Sequence, residues 1–122
     1  MESDPHKPLR DDVRLLGELL GETLQLRGDP GLFETVEHVR TLAREARRGD
    51  DRDFRQLASV LSTLPVESAL PLARAFAHFL NLANVAEQHH RIRRRRAYLR
   101  EPDAPPQRGS CEERSRAWWP RV

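Results

Sequence analysis

The residues with the greatest capacity for chemistry lie near the end of the longest apolar segment. Six arginines crowd there: Arg91, Arg93, Arg94, Arg95, Arg96 and Arg100. A dense basic run of this kind can bind the phosphates of a nucleic acid. Tyr98 is the one aromatic residue among them that could stack on a base. The run fits equally well a solvated helix end or a patch that binds acidic groups of a larger protein, so nucleic acid is the less favoured partner.

A second candidate is a metal-ligand pair. Glu87 and His90 have the spacing of one ligand pair in a helical di-metal site, which needs a second such pair and two more glutamates on facing helices. Glu34 and His38 lie four residues apart, which is the wrong spacing for that second pair. We therefore predict no metal ligand here and interpret His89 and His90 as polar side chains on a helix surface or at an interface.

Amide side chains form the third candidate. Asn81, Asn84 and Gln88, with Glu87, interrupt an otherwise apolar helical segment. Because buried amides need hydrogen-bond partners, we expect them to fix packing between neighbouring helices. The alternative is that they point into a site formed by sequence outside this chain. No serine, cysteine or aspartate has the surroundings of a catalytic triad and no glycine-rich phosphate loop occurs, so we predict no catalytic residue and no cofactor-binding residue.

Composition points to an all-α fold of at most one domain. Only 6% of the 122 residues are aromatic and 33% are charged. Few aromatic and β-branched residues argue against a sheet, whereas abundant Leu, Ala, Arg and Glu favour helix. Net charge is +2, with an acidic excess in residues 1–53 and a basic excess in residues 54–122. This asymmetry fits an anionic partner, or ends that attract each other.

The same composition bears on location. Cys111 is the single cysteine, so no internal disulfide can form, which suits a reducing compartment. The first ten residues lack the apolar run of a signal peptide. The longest apolar stretch, within residues 69–86, is interrupted by Arg74 and His78, which a membrane span would tolerate poorly. We expect a cytoplasmic protein with no membrane partner.

Helical periodicity and capping residues predict the elements. Residues 1–8 read as a flexible N-terminus, and residues 9–100 as a helical segment of about four helices. The first helix is expected over about 9–26. The second follows a cap at Asp29 with Pro30 in its first position, and the third opens at Asp50 to Asp53 and stops at Leu64 and Pro65.

The fourth helix is expected over about 68–99, with Ser68 as its cap and Pro71 in its first turn. It is apolar nearly all round, which is typical of a helix covered on every side. Residues 71–98 alone would span about 42 Å. A compact chain of this length has a radius of gyration of only about 14 Å. Three shorter helices therefore cannot cover it, and we infer that the chain belongs to something larger or packs on a partner.

Two glycines lie one turn apart on the first helix. Each of them, Gly17 and Gly21, lowers helix stability by about 1 kcal/mol relative to alanine. One interpretation is that another backbone approaches α1 closely at the two glycines. The other is that the helix tolerates glycine at these positions without any such contact.

Residues 101–122 read as a proline-rich linker and an irregular C-terminal tail. Ser110 followed by Cys111, Glu112 and Glu113 is able to cap a further helix. Beyond Glu113 the polar spacing shows no apolar stripe, and Trp118 and Trp119 are expected to be exposed beside Pro120. Our hypothesis is a truncated or frameshifted gene product, which the DNA downstream of codon 113 would test.

Three stretches, in this order and spacing, resemble the N-terminal end of bacterial phosphoenolpyruvate carboxylase. They are residues 9–23 (LRDDVRLLGELLGET), 33–43 (FETVEHVRTLA) and 70–91 (LPLARAFAHFLNLANVAEQHHR). The third is the most specific. The resemblance covers about Leu9 to Glu113, which corresponds to a small front part of the family's chain.

The resemblance implies a helical N-terminal segment of a larger, mostly helical α/β-barrel enzyme that is usually a homotetramer. That enzyme joins bicarbonate to phosphoenolpyruvate with Mg²⁺ or Mn²⁺, giving oxaloacetate and phosphate, and so fixes carbon dioxide and replenishes the tricarboxylic acid cycle. Its catalytic histidine lies in a Thr-Ala-His-Pro-Thr segment and its phosphate-binding arginine in a Gly-Gly-Asp-Arg-Asp-Gly-Asn-Pro segment. Neither segment occurs here.

From the resemblance we expect the rest of the enzyme chain as the partner of this one. We expect no activity from this chain alone. The alternatives are a stand-alone helical interaction module, with an oligomer covering the long helix, and a small basic nucleic-acid-binding protein.

Overall fold

The computed structural model describes residues 4–106 and 108–118, with the side chains of residues 116–118 left out. These residues form five helices, α1 (Lys7–Arg27), α2 (Leu32–Arg48), α3 (Asp51–Thr63), α4 (Val66–Leu99) and α5 (Cys111–Trp118). No strand occurs in the described ranges. The predicted all-α fold is confirmed.

Helix α1 begins at Lys7, two residues before the predicted start. Pro8 lies in its first turn, where the missing N–H of a proline has no helical partner to lose. The Asp4 carboxylate accepts a hydrogen bond from the His6 backbone N–H at 2.9 Å. Residues 7 and 8 are therefore helical, while residues 1–3 of the predicted flexible N-terminus lie outside the described part of the chain.

The predicted cap of α2 is wrong. The N-cap is Gly31 in the left-handed conformation, at φ 83°, and no side chain caps the helix. The Leu32 N–H donates to the Asp29 carbonyl at 3.1 Å, so Asp29 contributes its backbone to a turn and its side chain to no cap. Asp29 and Pro30 are the first two residues of this four-residue turn, and glycine at position 31 supplies the positive φ that its third position requires.

Helix α3 begins as predicted. The Asp50 side chain accepts a hydrogen bond from the Arg52 backbone N–H at 2.9 Å, and Asp51 and Asp53 lie in the first turn near the positive end of the helix dipole. The helix ends at Thr63, before Leu64 and Pro65.

Helix α4 starts earlier than Ser68. The Pro65 carbonyl accepts hydrogen bonds from the backbone N–H groups of Ser68 and Ala69, at 3.0 and 2.9 Å, so the first turn lies directly after Pro65. Ser68 is therefore inside the helix. Pro71 is its sixth residue, beyond the first turn where the sequence placed it.

The C-terminal tail contains a helix where an irregular segment was expected. The Ser110 hydroxyl accepts a hydrogen bond from the Glu113 N–H at 3.1 Å, and the Glu113 carboxylate accepts one from the Gly109 N–H. This reciprocal capping starts α5, which agrees with the cap predicted at Ser110. The backbone of Trp118 belongs to α5, its side chain is not described, and Trp119 and Pro120 lie outside the described residues.

The chain divides into two compact units, residues 1–88 and residues 89–122. The apolar core lies in the first unit and is small: its buried residues are Val39, Leu42, Leu72, Ala75 and Ala86. The second unit comprises the end of α4, the proline-rich segment and α5. Within it the Tyr98 hydroxyl donates to the Ala104 carbonyl at 3.4 Å.

Candidate functional site

A groove of about 750 Å³ in the first unit is lined by α1, α2 and α4. Val13, Gly17 and Leu20 of α1 face Phe33 of α2 and Phe79 of α4 across it. Most of its wall is apolar, and three arginines and three glutamates also line it: Arg10, Arg14, Arg40, Glu18, Glu22 and Glu37.

The two glycines of α1 face this groove. A Cβ atom at Gly17 would lie 3.5 Å from the Phe79 ring, and one at Gly21 would lie 3.2 Å from the Phe33 ring. The close approach predicted from the glycine pair is therefore made by aromatic side chains of two different helices, and not by a neighbouring backbone. At Gly17 a Cβ atom would make an ordinary contact with the ring, whereas at Gly21 the Phe33 ring would have to give by a few tenths of an ångström.

The amides of α4 are exposed, where the sequence predicted buried amides bonded to neighbouring helices. Asn81, Asn84 and Gln88 all lie on the exposed side of the helix. Leu70, Leu80 and Val85 share that side, with 53%, 62% and 60% of their surfaces exposed. Polar and apolar groups together form an uncovered face. These positions lie opposite the buried Leu72, Ala75 and Ala86, and because apolar residues occur all round α4 the sequence alone did not show which side is exposed.

A second exposed apolar stripe lies on α1. Leu15, Leu19 and Leu26 recur at spacings of four and seven residues, and 49% or more of each surface is exposed. At about 100° per residue, Leu15 lies on the side of α1 opposite Gly17, and thus away from the groove. Helix α1 therefore has apolar residues on two sides, one lining the groove and one exposed.

The candidate ligands Glu87 and His90 differ in exposure. Glu87 is an exposed residue of the first unit, whereas His90, in the second, is buried at 5% exposure. The ring Nδ1 of His90 lies 3.0 Å from Arg93 Nη2, so this histidine contacts an arginine of its own helix. His89 is exposed. Within residues 4–106 and 108–118, no three His, Cys, Asp or Glu side chains are grouped to hold a metal ion.

The arginine run lies in the last turns of α4 and just beyond them. Arg94, Arg95 and Arg96 are consecutive and exposed, so they point in three directions around the helix axis and do not form one flat face. Arg100 follows the helix and is also exposed. Such a distribution favours solvation over recognition of a regular phosphate backbone.

Two carboxyl groups near the start of α1 have shifted titrations. The hydrogen bond from Lys7 Nζ, at 2.6 Å, lowers the pKa of Asp11 below its ordinary value of 3.8. The hydrogen bond from the Arg10 guanidinium, followed by that from the His6 N–H, lowers the pKa of Asp4. Both pairs are exposed ion pairs at a helix start, where such pairs contribute little to stability. Arg10, the partner of Asp4, also lines the groove.

None of the helices in the described ranges combines the length and the apolar character that crossing a membrane requires.

Comparisons with known proteins identify the family. The family model described as phosphoenolpyruvate carboxylase matches residues 9–117, four residues beyond the Glu113 limit of the resemblance seen in the sequence. A phosphoenolpyruvate carboxylase of Acinetobacter baumannii is 53% identical over 97 residues, which is 80% of this chain and 11% of the relative. That of Pseudomonas aeruginosa is 50% identical over 94 residues, 77% of this chain and 11% of the relative.

The relative from Chromohalobacter salexigens is 41% identical over 116 residues, which is 95% of this chain and 13% of the relative. The chain thus spans about 11–13% of the length of these curated relatives. The matched segment contains α2, α3 and α4 completely and most of α1 and α5. The resemblance seen in residues 9–23, 33–43 and 70–91 is confirmed. The chain belongs to the phosphoenolpyruvate carboxylase family.

Proposed function

We propose that this chain is the N-terminal part of a phosphoenolpyruvate carboxylase and supplies helical scaffold to that enzyme, while the chemistry is carried by sequence outside it. The supporting observation is the family match over residues 9–117 by a chain that spans about 11% of its relatives. The reaction of the complete enzyme is the carboxylation of phosphoenolpyruvate by bicarbonate to oxaloacetate and phosphate, an anaplerotic feed of the tricarboxylic acid cycle in the cytoplasm. The assembled enzyme is a homotetramer.

We further propose that the chain alone is inactive. The carboxylation requires groups that bind phosphate and bicarbonate and stabilise an enolate. The walls of the groove in the first unit are mostly apolar, and the charged side chains that line it are of both signs: Arg10, Arg14 and Arg40 with Glu18, Glu22 and Glu37. Such a mixture does not form the cationic pocket that two anionic substrates need. The described residues offer no such arrangement.

The Mg²⁺ or Mn²⁺ that the family uses does not fit the described residues of this chain. Octahedral oxygen ligation needs convergent carboxylates, and no group of three candidate ligands occurs in the described ranges. We therefore assign the metal to the rest of the enzyme and derive no step through it.

A chimeric enzyme tests the proposed function. In the Acinetobacter baumannii relative, the segment that aligns with this chain would be replaced by this chain's sequence. We expect the chimera to release phosphate from phosphoenolpyruvate in a bicarbonate-dependent manner, and the 122-residue chain alone to release none above buffer. An inactive chimera beside an active parent enzyme contradicts the scaffold role, and activity of the chain alone contradicts the predicted inactivity.

A further inference from the structure

The exposed side of α4 in the first unit carries a largely uncharged surface in which Arg74 is the one fully charged residue. Its residues recur at helical spacing over about four turns and are all exposed: Leu70, Ala73, Ala77, Leu80, Asn81, Asn84 and Val85. We call these seven residues the outer α4 face. The opposite side of the same helix holds the buried Leu72, Ala75 and Ala86. One side of α4 is therefore covered by this chain and the other is not.

The chemistry of the outer α4 face is unusual for a surface helix. Among the exposed residues between 70 and 85, Arg74 alone carries a full charge at neutral pH, and no acidic residue occurs. The exposed side of α2, by contrast, displays Glu34, Arg40, Arg44 and Glu45. Solvent-facing helices normally carry many charged and polar residues, so an exposed face of this length with a single charged residue marks a contact surface.

Small residues in the outer α4 face allow close packing of another helix. Ala73 and Ala77 lie one turn apart in the middle of the face, with Leu70 and Leu80 beside them, so another helix can approach closely along this line. Asn81 and Asn84 extend it with exposed amides, each of which offers both a donor and an acceptor. A matching partner is an apolar helix that also carries polar groups able to bond to two amides.

We propose that the outer α4 face is the docking surface for a helix from the remaining part of a phosphoenolpyruvate carboxylase chain. This inference rests on the proposed function. Its partner follows from the comparison of lengths, since this chain spans only about 11% of its relatives and the other parts of such an enzyme are available to cover it.

A second copy of this chain fits the observations less well. A two-fold contact between copies joins one patch of each to the same patch of the other. The first unit has a further uncovered apolar stripe, Leu15, Leu19 and Leu26, on the side of α1 that faces away from the groove and from Phe79. A two-fold contact through the outer α4 face leaves that stripe in solvent, whereas a longer enzyme can cover both.

The test uses the full-length chimera described above. Leu80→Glu places a carboxylate in the proposed contact with no cation within one turn of it, and burial without a partner is unfavourable. Ala77→Glu does the same three residues from Arg74, which can pair with it, so its effect should be the smaller. Ala97→Glu is the matched control, because Ala97 is an exposed alanine of the same helix with arginines nearby in sequence. Ala77→Ser, which keeps a small side chain without a charge, is the conservative variant.

We expect Leu80→Glu to lower the activity of the soluble chimera by at least about tenfold and to lower its melting temperature, because a buried unpaired charge is among the largest single-residue effects. Ala77→Glu should lower both in the same direction. Ala97→Glu and Ala77→Ser should retain most of the activity. In the isolated 122-residue chain, Ala77→Glu should leave the helical circular dichroism unchanged, since position 77 is exposed there.

The outcomes separate the two proposals. An active chimera that tolerates Ala77→Glu and Leu80→Glu overturns the docking surface but leaves the scaffold role standing, whereas an inactive unsubstituted chimera overturns the scaffold role. Light scattering on the isolated chain supplies the second measurement. A stable dimer that Ala77→Glu dissociates overturns the assignment in favour of a second copy, and a monomer unaffected by Ala77→Glu supports it.

Discussion

Gly17 of α1 lies against the ring of Phe79 of α4, close enough that a Cβ atom added to the glycine would stand 3.5 Å from the ring carbon Cε2. One turn later, Gly21 faces Phe33 of α2 in the same manner but at 3.2 Å. The two glycines thus contact different helices, and the space for an added Cβ atom is larger at Gly17 than at Gly21. Because both lie within α1, they form a matched pair for substitution.

Gly17→Ala should stabilise the chain and Gly21→Ala should stabilise it less or not at all. Alanine improves a helix interior by about 1 kcal/mol over glycine. At Gly17 the new methyl group makes an ordinary contact, whereas at Gly21 the Phe33 ring must move by a few tenths of an ångström. Urea unfolding followed by circular dichroism at the helical band measures the difference, and an equal gain for both variants would contradict the packing at Gly21.

Asp50→Ala should destabilise α3 through the loss of its cap. The Asp50 carboxylate accepts a hydrogen bond from the Arg52 N–H, and removing such a cap costs about 1 kcal/mol. Asp51→Ala is the control, because Asp51 lies in the same first turn but is not the capping residue. Denaturant unfolding should show the larger loss for Asp50→Ala. Equal losses of stability would mean that Asp50, like Asp51, acts only through its charge near the helix dipole.

Pro71→Ala should stabilise α4, since Pro71 is the sixth residue of the helix and lacks the N–H that would donate to the Glu67 carbonyl. Replacing an interior proline gains up to about 3 kcal/mol in helix propensity. Pro65→Ala is the matched control before the helix, where losing the rigid ring should give no gain. Thermal unfolding compares the two, and a lower melting temperature for Pro71→Ala would show that the proline is required for packing.

The Lys7 and Asp11 pair should make the start of α1 sensitive to acid. Because the Lys7 hydrogen bond lowers the pKa of Asp11 below 3.8, the ionised carboxylate favours the folded state. Its contribution is therefore fully present above about pH 4 and is lost as the pH falls through the lower folded pKa. Titration of the Asp11 carboxyl carbon by NMR should give a midpoint below 3.8.

Lys7→Gln should move the Asp11 midpoint upward, because the charged donor is gone. Asp4 serves as the internal reference, since its pKa is lowered mainly by Arg10 and should stay low in the same variant. An Asp11 midpoint that Lys7→Gln leaves unchanged would contradict the pairing.

Sequence reasoning placed the helices well wherever a local signal marks the boundary. Asp50 caps α3 and Ser110 caps α5 through hydrogen bonds within three residues, so short-range chemistry is enough to find them. It failed at Asp29 and Ser68, which are good capping residues that lie beside the true boundaries. Helix α2 begins after Gly31, which has a positive φ, and the first turn of α4 is bonded to the carbonyl of Pro65. In both places several neighbouring residues are able to cap a helix, so the sequence does not single out the boundary.

The sequence by itself determined that this chain is helical, which family it belongs to and that α4 has too little cover, because periodicity, composition and residue identity carry that information directly. Only the tertiary structure decided which side of α4 is covered, that Asn81 and Asn84 are exposed, and that phenyl rings fill the space beside Gly17 and Gly21. A helix apolar on all sides gives no rotational preference of its own. Its orientation is set by the neighbours that pack on it, here through Phe79 against α1.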